Sequence, residues 1–560
     1  MDIKKKIYDK ITNIYAIKSE QETAKKIFTA ILAKYSKETF KQTNRLSQEN
    51  VYLITYGDSF ISEDKTPLAT LNEVYRQVLS NSISDIHLLP MFPYTSDDGF
   101  SVTDYLAINP DLGSWEDIGN LAQDKRLMFD FVANHMSKSS PWFQDFLNKE
   151  NGFDKAFIEY DSDFDTSNVT RPRTSPLFHE YENKEGKVLK AWTTFSEDQV
   201  DLNAKDPATL GKLTEVLLEY ALRGADSIRL DAIGFLWKES GTTCMHLVQT
   251  HEIIQLWRML LDELAPNVQI ITETNVPHVD NISYFGDGDN EANQVYQFSL
   301  PPLVLYSFIT GNASKLSHWA KGIHKVSNTA TYFNFLASHD GIGLRPTEGI
   351  LTDEDRELLV QRVTENGGKV SYKNNPDGSQ SVYEMNINYS EALKDVKNEA
   401  DTPKKMIAAH HILLSVIGVP AIYYHSIFGS KNDLVGAESS GINRRINREK
   451  LKENQLLIQL GTDPYRKAIF TGISDLIEIR KQETAFDPYG EQEVLASAPE
   501  IFAIKRGQGQ EQITSYTNVS NREITINNVV GRNVITDELI SGNLILAPYG
   551  YAWVKKGLKL

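Results

Sequence analysis

Cysteine is almost absent from this chain: Cys244 is the only one in 560 residues. No intramolecular disulfide can form, which excludes a disulfide-stapled secreted scaffold and fits a reducing compartment. Cys244-Met245-His246 has no second Cys-rich cluster to complete a zinc site, so a buried structural thiol is expected. Also missing is any run of about 18 apolar residues, so no transmembrane helix is expected. The opening MDIKKKIYDKITNIY is basic but has no apolar stretch of signal-peptide length. The cytoplasm is the expected address. Positive charge is in deficit, with 58 Lys and Arg against 75 Asp and Glu, a net −17. Nucleic-acid binding needs a basic footprint to neutralise phosphates, so that class is excluded. No Gly-rich loop for a dinucleotide or nucleotide phosphate occurs. Gly286-Asp287-Gly288-Asp289-Asn290-Glu291 resembles the start of a calcium loop. It lacks the Gly and the distal Glu required at fixed offsets, and reads as a solvated turn. Neither a metal nor a cofactor is expected.

The 41% apolar content supports a large core, and the length accommodates two to four domains. Ile3, Ile7, Ile11 and Ile14, then Ile27, Phe28, Ile31, Leu32 and Tyr35, recur at helical spacing. Residues 1–48 therefore read as a helical extension. Eight short apolar strand candidates follow: Val51–Tyr56, Ile86–Pro90, Leu127–Val132, Ser227–Asp231, Val268–Glu273, Val295–Phe298, Tyr332–Ala337 and Ala421–Tyr424. Helical patterns separate several of them, such as Leu210–Leu222, His251–Leu264, Ile407–Ile417 and Ile469–Lys481. Eight strands alternating with helices point to the α/β class, a (β/α)8 barrel. Its segments would be 49–135, 199–340 and 406–488. Two insertions break the rhythm, 136–198 after the third strand and 341–405 after the seventh. Asn374-Asn375-Pro376-Asp377-Gly378 marks a turn in the second. From 489 to 560, short alternating strands such as Glu523–Val529 and Asn543–Ala547 indicate a C-terminal β domain.

The stretch Ala225–Gly234 contains the charge pair on which the chemistry turns. In a strand, Arg229 and Asp231 share a face, with Leu230 opposite. Polar residues gather at other strand ends too: Asp130 with Asn134-His135, Thr272-Glu273-Thr274-Asn275, and Ser338-His339-Asp340-Gly341. Barrel enzymes draw their catalytic residues from the C-terminal ends of several strands. Three carboxylates there, Asp231, Glu273 and Asp340, suit retaining glycoside chemistry: a nucleophile, a proton donor and a stabiliser of positive charge. Asp130 is assigned a structural role at its strand's end.

FDFVANH, SIRLDAIGF, IITETN and FLASHDG resemble, in order, the four signature segments of the α-amylase superfamily. Pro93–Phe100, Arg171-Pro172-Arg173, Trp192–Phe195 and His339–Gly343 resemble its sucrose phosphorylase branch, over roughly residues 50–485. The helical extension, Thr55–Phe60 and Ile271–His278 look most like the members that use D-glycerate as acceptor, the glucosylglycerate phosphorylases. The resemblance implies Asp231 as nucleophile, Glu273 as general acid/base and Asp340 as transition-state stabiliser. Arg229 should hold Asp231 ionised, since a guanidinium lowers a carboxylate pKa. The resemblance further implies that His135, His339 and Asp97 bind the glucosyl hydroxyls above Phe100, an apolar platform. Arg448 matches a glucose-contacting arginine, with Arg444 as its rival. Phe235 stands where sucrose phosphorylases usually have tyrosine, which argues against a fructosyl acceptor.

Opening a glucosyl–enzyme ester with phosphate brings an anion among carboxylates, and Arg matches phosphate geometry bidentately. Arg173, with Arg171 beside it, lies in the first insertion, and Arg345 opens the second. Arg173 is the leading candidate. The implied reaction is reversible, retaining phosphorolysis of 2-O-(α-D-glucosyl)-D-glycerate to α-D-glucose 1-phosphate and D-glycerate. Its partners would be these small molecules and inorganic phosphate, with no nucleic acid and no membrane. The sequence leaves oligomeric state open, a homo-oligomer included. The alternatives are a sucrose or sucrose 6′-phosphate phosphorylase, an α-glucosidase-type hydrolase, and a non-catalytic amylase-like protein.

Overall fold

A computed structural model describes residues 2–375 and 378–557. The proposed turn at 374–378 lies partly outside them, at Pro376 and Asp377. Eight parallel strands close a barrel. They are β1 (Tyr52–Thr55), β2 (Asp85–Leu88), β3 (Arg126–Phe131), β4 (Ser227–Leu230), β5 (Gln269–Thr272), β6 (Gln294–Tyr296), β7 (Thr331–Phe335) and β8 (Val419–Tyr423). All eight expected strands are present and run in sequential order around the ring, with β1 pairing β2 and β8. Strands covered on both faces carry apolar residues outward, and here nearly every strand residue is buried. The register sets Asp130 of β3 opposite Arg229 of β4.

Helices α1 (Ile3–Ile14) and α2 (Lys18–Tyr35) form the N-terminal extension. They bury Ile7, Ile11 and Ile14, then Ala24, Phe28, Ile31 and Tyr35. Those faces pack on α4 (Val248–Leu264) and α3 (Pro207–Leu222), respectively. Helix α3 starts where Asp206 accepts from the Thr209 N–H at 3.0 Å and Pro207 pre-sets the first turn. Helices α5 (Thr402–Ser415) and α6 (Pro464–Gln482) pack together beside β8. The last segment forms a six-stranded antiparallel sheet. Trp553 locks it to the barrel, donating to Ser415 at 2.8 Å and stacking on His411.

Both interrupting segments build on the C-terminal end of the barrel. At the base of the first, Gln199–Asp201 pairs antiparallel with His135–Ser137, and within it Phe178–Glu182 pairs with Val188–Trp192. In the second, helix Asp353–Glu365 leads into the hairpin Lys369–Asn374 and Gln380–Asn386, with Ile342–Gly343 along its edge. Cys244 is buried beneath the first insertion with Leu177 and Trp192. At 286–291 the chain makes a tight turn, Gly286 at φ 59°, and Glu291 points inward to His251 at 2.9 Å. No helix among the described residues is long and apolar enough to cross a membrane.

Candidate active site

The strand ends surround a narrow cavity of about 80 Å³. Asp231, Glu273, Asp340, Asp97, Phe100, His135, Arg173, Phe235, His339 and Arg345 all line it. Arg229 lies beneath it, fully buried.

Arg229 organises the floor. One of its nitrogens donates to Asp130 and to Asp231, each at 2.8 Å. Its Nε donates to the Tyr296 hydroxyl at 3.0 Å, and its other terminal nitrogen stands 3.7 Å from Glu273. Asp130 accepts in turn from His87 Nε2, 2.9 Å away, which makes it a fully buried brace that does not line the cavity. After Asp231 the chain turns sharply: Ala232 adopts φ 47°, a left-handed conformation costing about 1–2 kcal/mol for an L-residue. That turn aims the Ala232 N–H at Glu273 Oε2, 3.0 Å away.

The electrostatics correct one expectation. Burial pushes the Asp231 carboxyl well up, and Glu273 and Asp130 add to it, so Arg229 does not hold it low. Burial, with Asp340 and Asp130, also raises Glu273 against the pull of Arg229. Two carboxyls facing each other over one guanidinium share a proton. Asp231 is bonded directly to Arg229 at 2.8 Å while Glu273 stands off at 3.7 Å, so the proton belongs on Glu273. Asp340 goes the other way. Burial acts to raise it, but the Arg444 and Arg448 guanidiniums outweigh burial and hold it far below the usual carboxylate range. Buried His339 and His135 are both held neutral, chiefly by burial. Neutral imidazoles can donate and accept hydrogen bonds with sugar hydroxyls.

The opposite wall comes from Asp97 to Phe100. Asp97, Asp98 and Gly99 take positive φ in succession, 53°, 48° and 113°. A Cβ on Gly99 would sit 2.8 Å from the Pro90 carbonyl oxygen, so only glycine fits there. The Phe100 ring stacks on His339 with centroids 4.9 Å apart. Across the cavity, Phe235 meets Phe195 edge-on at 5.5 Å and packs with Met245 and Val276.

Arg448 requires a second correction. It does not line the cavity; it lies behind, donating to the His339 carbonyl at 2.9 Å and to Asp98 at 2.7 Å. Its rival Arg444 lines the cavity and meets Asp340 at 2.7 Å, held by two bonds to Glu384. Other residues went unnoticed in the sequence. Gln199 donates to Asp97 at 3.1 Å and lies 3.4 Å from His135 Nε2, tying two wall residues together. Tyr383 lines the cavity from the second insertion. Buried Lys238 pairs with Asp201 at 2.6 Å and donates to Asn134 at 2.9 Å and to the Phe235 carbonyl. Gln199 and Tyr383 sit on short strands outside the barrel, Gln199–Asp201 and Gln380–Asn386, and Lys238 on a loop, none with a periodic signature.

The arrangement can attack a sugar carbon from Asp231, protonate a leaving oxygen from Glu273 and offset positive charge with Asp340. Among the described residues, no group of three or more His, Cys, Asp or Glu could hold a metal.

The α-amylase catalytic domain family matches residues 78–472. A glucosylglycerate phosphorylase from Escherichia coli (strain K12) is 43% identical over 559 residues, covering 99% of this chain and all of the relative. One from Allomeiothermus silvanus is 46% identical over 512 residues, 91% of each chain. The solved sucrose 6F-phosphate phosphorylase from Thermoanaerobacter thermosaccharolyticum superposes with a TM-score of 0.74 at 24% identity, over 85% of this chain and 94% of that one.

Proposed function

The chain belongs to the α-amylase family, and from that premise we propose that it is a retaining phosphorylase of 2-O-(α-D-glucosyl)-D-glycerate. The carrying observation is a juxtaposition in one cavity. Asp231, Glu273 and Asp340 face it together with Arg173 and Arg345, two guanidiniums with no carboxylate partner among the described residues. Catalytic carboxylates alone describe a hydrolase. Free guanidiniums beside them suit a reaction in which both exchanging groups are anions.

Asp231 attacks the anomeric carbon while Glu273 gives its proton to the glycosidic oxygen. The C–O bond breaks, D-glycerate leaves, and a β-glucosyl ester on Asp231 remains. Phosphate then attacks the same carbon from the opposite side as Glu273 accepts its proton. The ester bond breaks, releasing α-D-glucose 1-phosphate with net retention. Asp340, kept ionised by Arg444, is the carboxylate that offsets the positive charge developing on the ring. Arg173 and Arg345 bind glycerate and phosphate in turn, and Phe235 supplies an apolar wall too small in polarity for a fructosyl ring. We place the enzyme in the cytoplasm, a reading supported by its single unpaired cysteine.

The test is phosphate release from α-glucose 1-phosphate with D-glycerate, glycerol, fructose and fructose 6-phosphate as acceptors. D-glycerate should be best, because a site built to pair an anion leaves its guanidinium unpartnered with a neutral isostere. Preference for fructose would move the assignment to sucrose phosphorylase.

A further inference from the structure

The candidate active site opens on a second, wider cavity of about 790 Å³ between the two insertions. The two cavities share Pro172, Arg173, Arg345 and Tyr383, so they form one path to solvent. The outer one is lined by residues 166–178 of the first insertion, by Thr243, and by Lys373, Asn374 and Asn375 of the second. Its lining residues include four cations, Arg171, Arg173, Arg345 and Lys373, and no Asp or Glu. In a chain with 75 acids and 58 bases, that is a marked local reversal of sign.

None of the four makes an ion pair among the described residues. Arg171 donates one nitrogen to the Ser175 carbonyl and leaves its buried Nε without a partner. Arg173 reaches only the Pro172 carbonyl, at 3.4 Å, and otherwise stands over the Tyr383 ring at 5.1 Å and the Phe195 ring at 5.5 Å. Lys373 is half-buried, and its ammonium is depressed by burial and by Arg345, with Glu348 acting the other way from outside the lining. Cations gathered without counter-charge repel one another, and a low-dielectric concave wall strengthens that repulsion. An entering anion relieves it.

We propose that the outer cavity is a binding site for a small oxyanion, a phosphate or a short-chain carboxylate, distinct from the position where the anion reacts. Arg171 and Lys373 are its outward contacts, and Arg173 and Arg345 are shared with the inner position. The proposal rests on the phosphorylase reading of the inner cavity. It adds a waiting position: in a double displacement glycerate must vacate the inner site before phosphate can attack, and the outer site holds the incoming anion meanwhile.

The decisive variant is Lys373→Glu, a charge reversal on an insertion hairpin, with Arg171→Gln beside it. Hydrolysis of α-glucosyl fluoride, which needs no anionic acceptor, is the internal reference for folding and for the ester-forming step. Relative to it, the KM for phosphate in phosphorolysis and for D-glycerate in synthesis should rise roughly three- to fivefold in Arg171→Gln, the worth of one accessible charge pair. Lys373→Glu should raise them further, and both effects should shrink in about 1 M salt. A rise for phosphate alone, or for glycerate alone, identifies which oxyanion the outer site holds. Unchanged KM values for both anions in Lys373→Glu overturn the outer site, as does a loss that merely parallels fluoride hydrolysis. If the unmodified enzyme hydrolyses α-glucosyl fluoride but responds to neither anion, it is the phosphorylase reading that fails.

Discussion

Arg444 and Asp340 meet at 2.7 Å although 104 positions of chain separate them, one following β8 and the other following β7. Glu384 of the second insertion grips the same guanidinium through two bonds, at 2.8 and 3.0 Å. The insertion therefore fixes the charge state of a residue in the barrel. Arg444→Ala should cut kcat/KM for the glucosyl donor roughly 30-fold, about 2 kcal/mol, since truncating one side of a partly buried charge pair at the reacting site costs about the low end of what a fully buried pair does. Steady-state kinetics on both arginine variants decide the assignment: an equal or larger loss in Arg448→Ala would return the sugar contact to Arg448.

Asp231→Ala should abolish turnover with the fold retained, because no second nucleophile faces the anomeric position. Circular dichroism checks the fold and coupled phosphate assays check turnover. Glu273→Gln should lose about 10²–10⁴-fold in rate. Wild-type phosphorolysis in either variant would falsify its role.

The raised pKa of Glu273 acts with the same sign on activity and on stability. Phosphorolysis needs the protonated acid, so kcat/KM falls as pH rises through the elevated value. Folding favours the protonated form too: stability from this group is fully present below its unfolded pKa and is lost as pH rises through the folded one. Glu273→Gln removes that loss. Its Tm at pH 7 should exceed wild type by about 1–2 °C, and the gap should close below about pH 4. A thermal scan at both pH values reads this directly; a Gln variant less stable at pH 7 contradicts it.

A structure with glucosyl donor bound should place the Asp231 and Glu273 carboxyl groups about 5–5.5 Å apart. The matching solution experiment is proton NMR of the initial sugar phosphate. The α-anomer is expected; a β-anomer with a separation of roughly 9 Å would mean inversion.

Most of the barrel was legible because each strand is a short apolar burst between charged, helix-spaced segments. The strand ends were legible because Asp231, Glu273 and Asp340 interrupt those bursts with charge. Gln199 and Tyr383 were not legible as site residues for a physical reason. They reach the cavity from short strands outside the barrel whose position depends on distant pairings, such as His135 with Asp201 and Ile342 with Met385. Local spacing does not encode those pairings. The same limit explains Arg444 and Arg448: Ile442-Asn443-Arg444 and Ile446-Asn447-Arg448 are the same tripeptide twice. Only a helical turn over Asn443–Asn447 sends one side chain into the cavity and the other behind it. The raised pKa of Asp231 was not legible because a single neighbouring arginine is visible in the sequence, whereas the burial and the other carboxylates that oppose it are not; the ionised state expected of Asp231 rests on its direct bond to Arg229.

Cys244 turns the buried pocket under the first insertion into a clock. Its Sγ lies 3.4 Å from the Glu239 carbonyl oxygen and is 1% exposed. It shares its loop with Met245, which touches the acceptor side. A thiol reagent in native buffer can reach it only when the insertion lifts, so the labelling rate measures how often that happens. With one sulfhydryl in the chain, every label is the same event. Anions that bridge the two insertions should slow labelling in proportion to their occupancy, and neutral sugars that sit deeper should not.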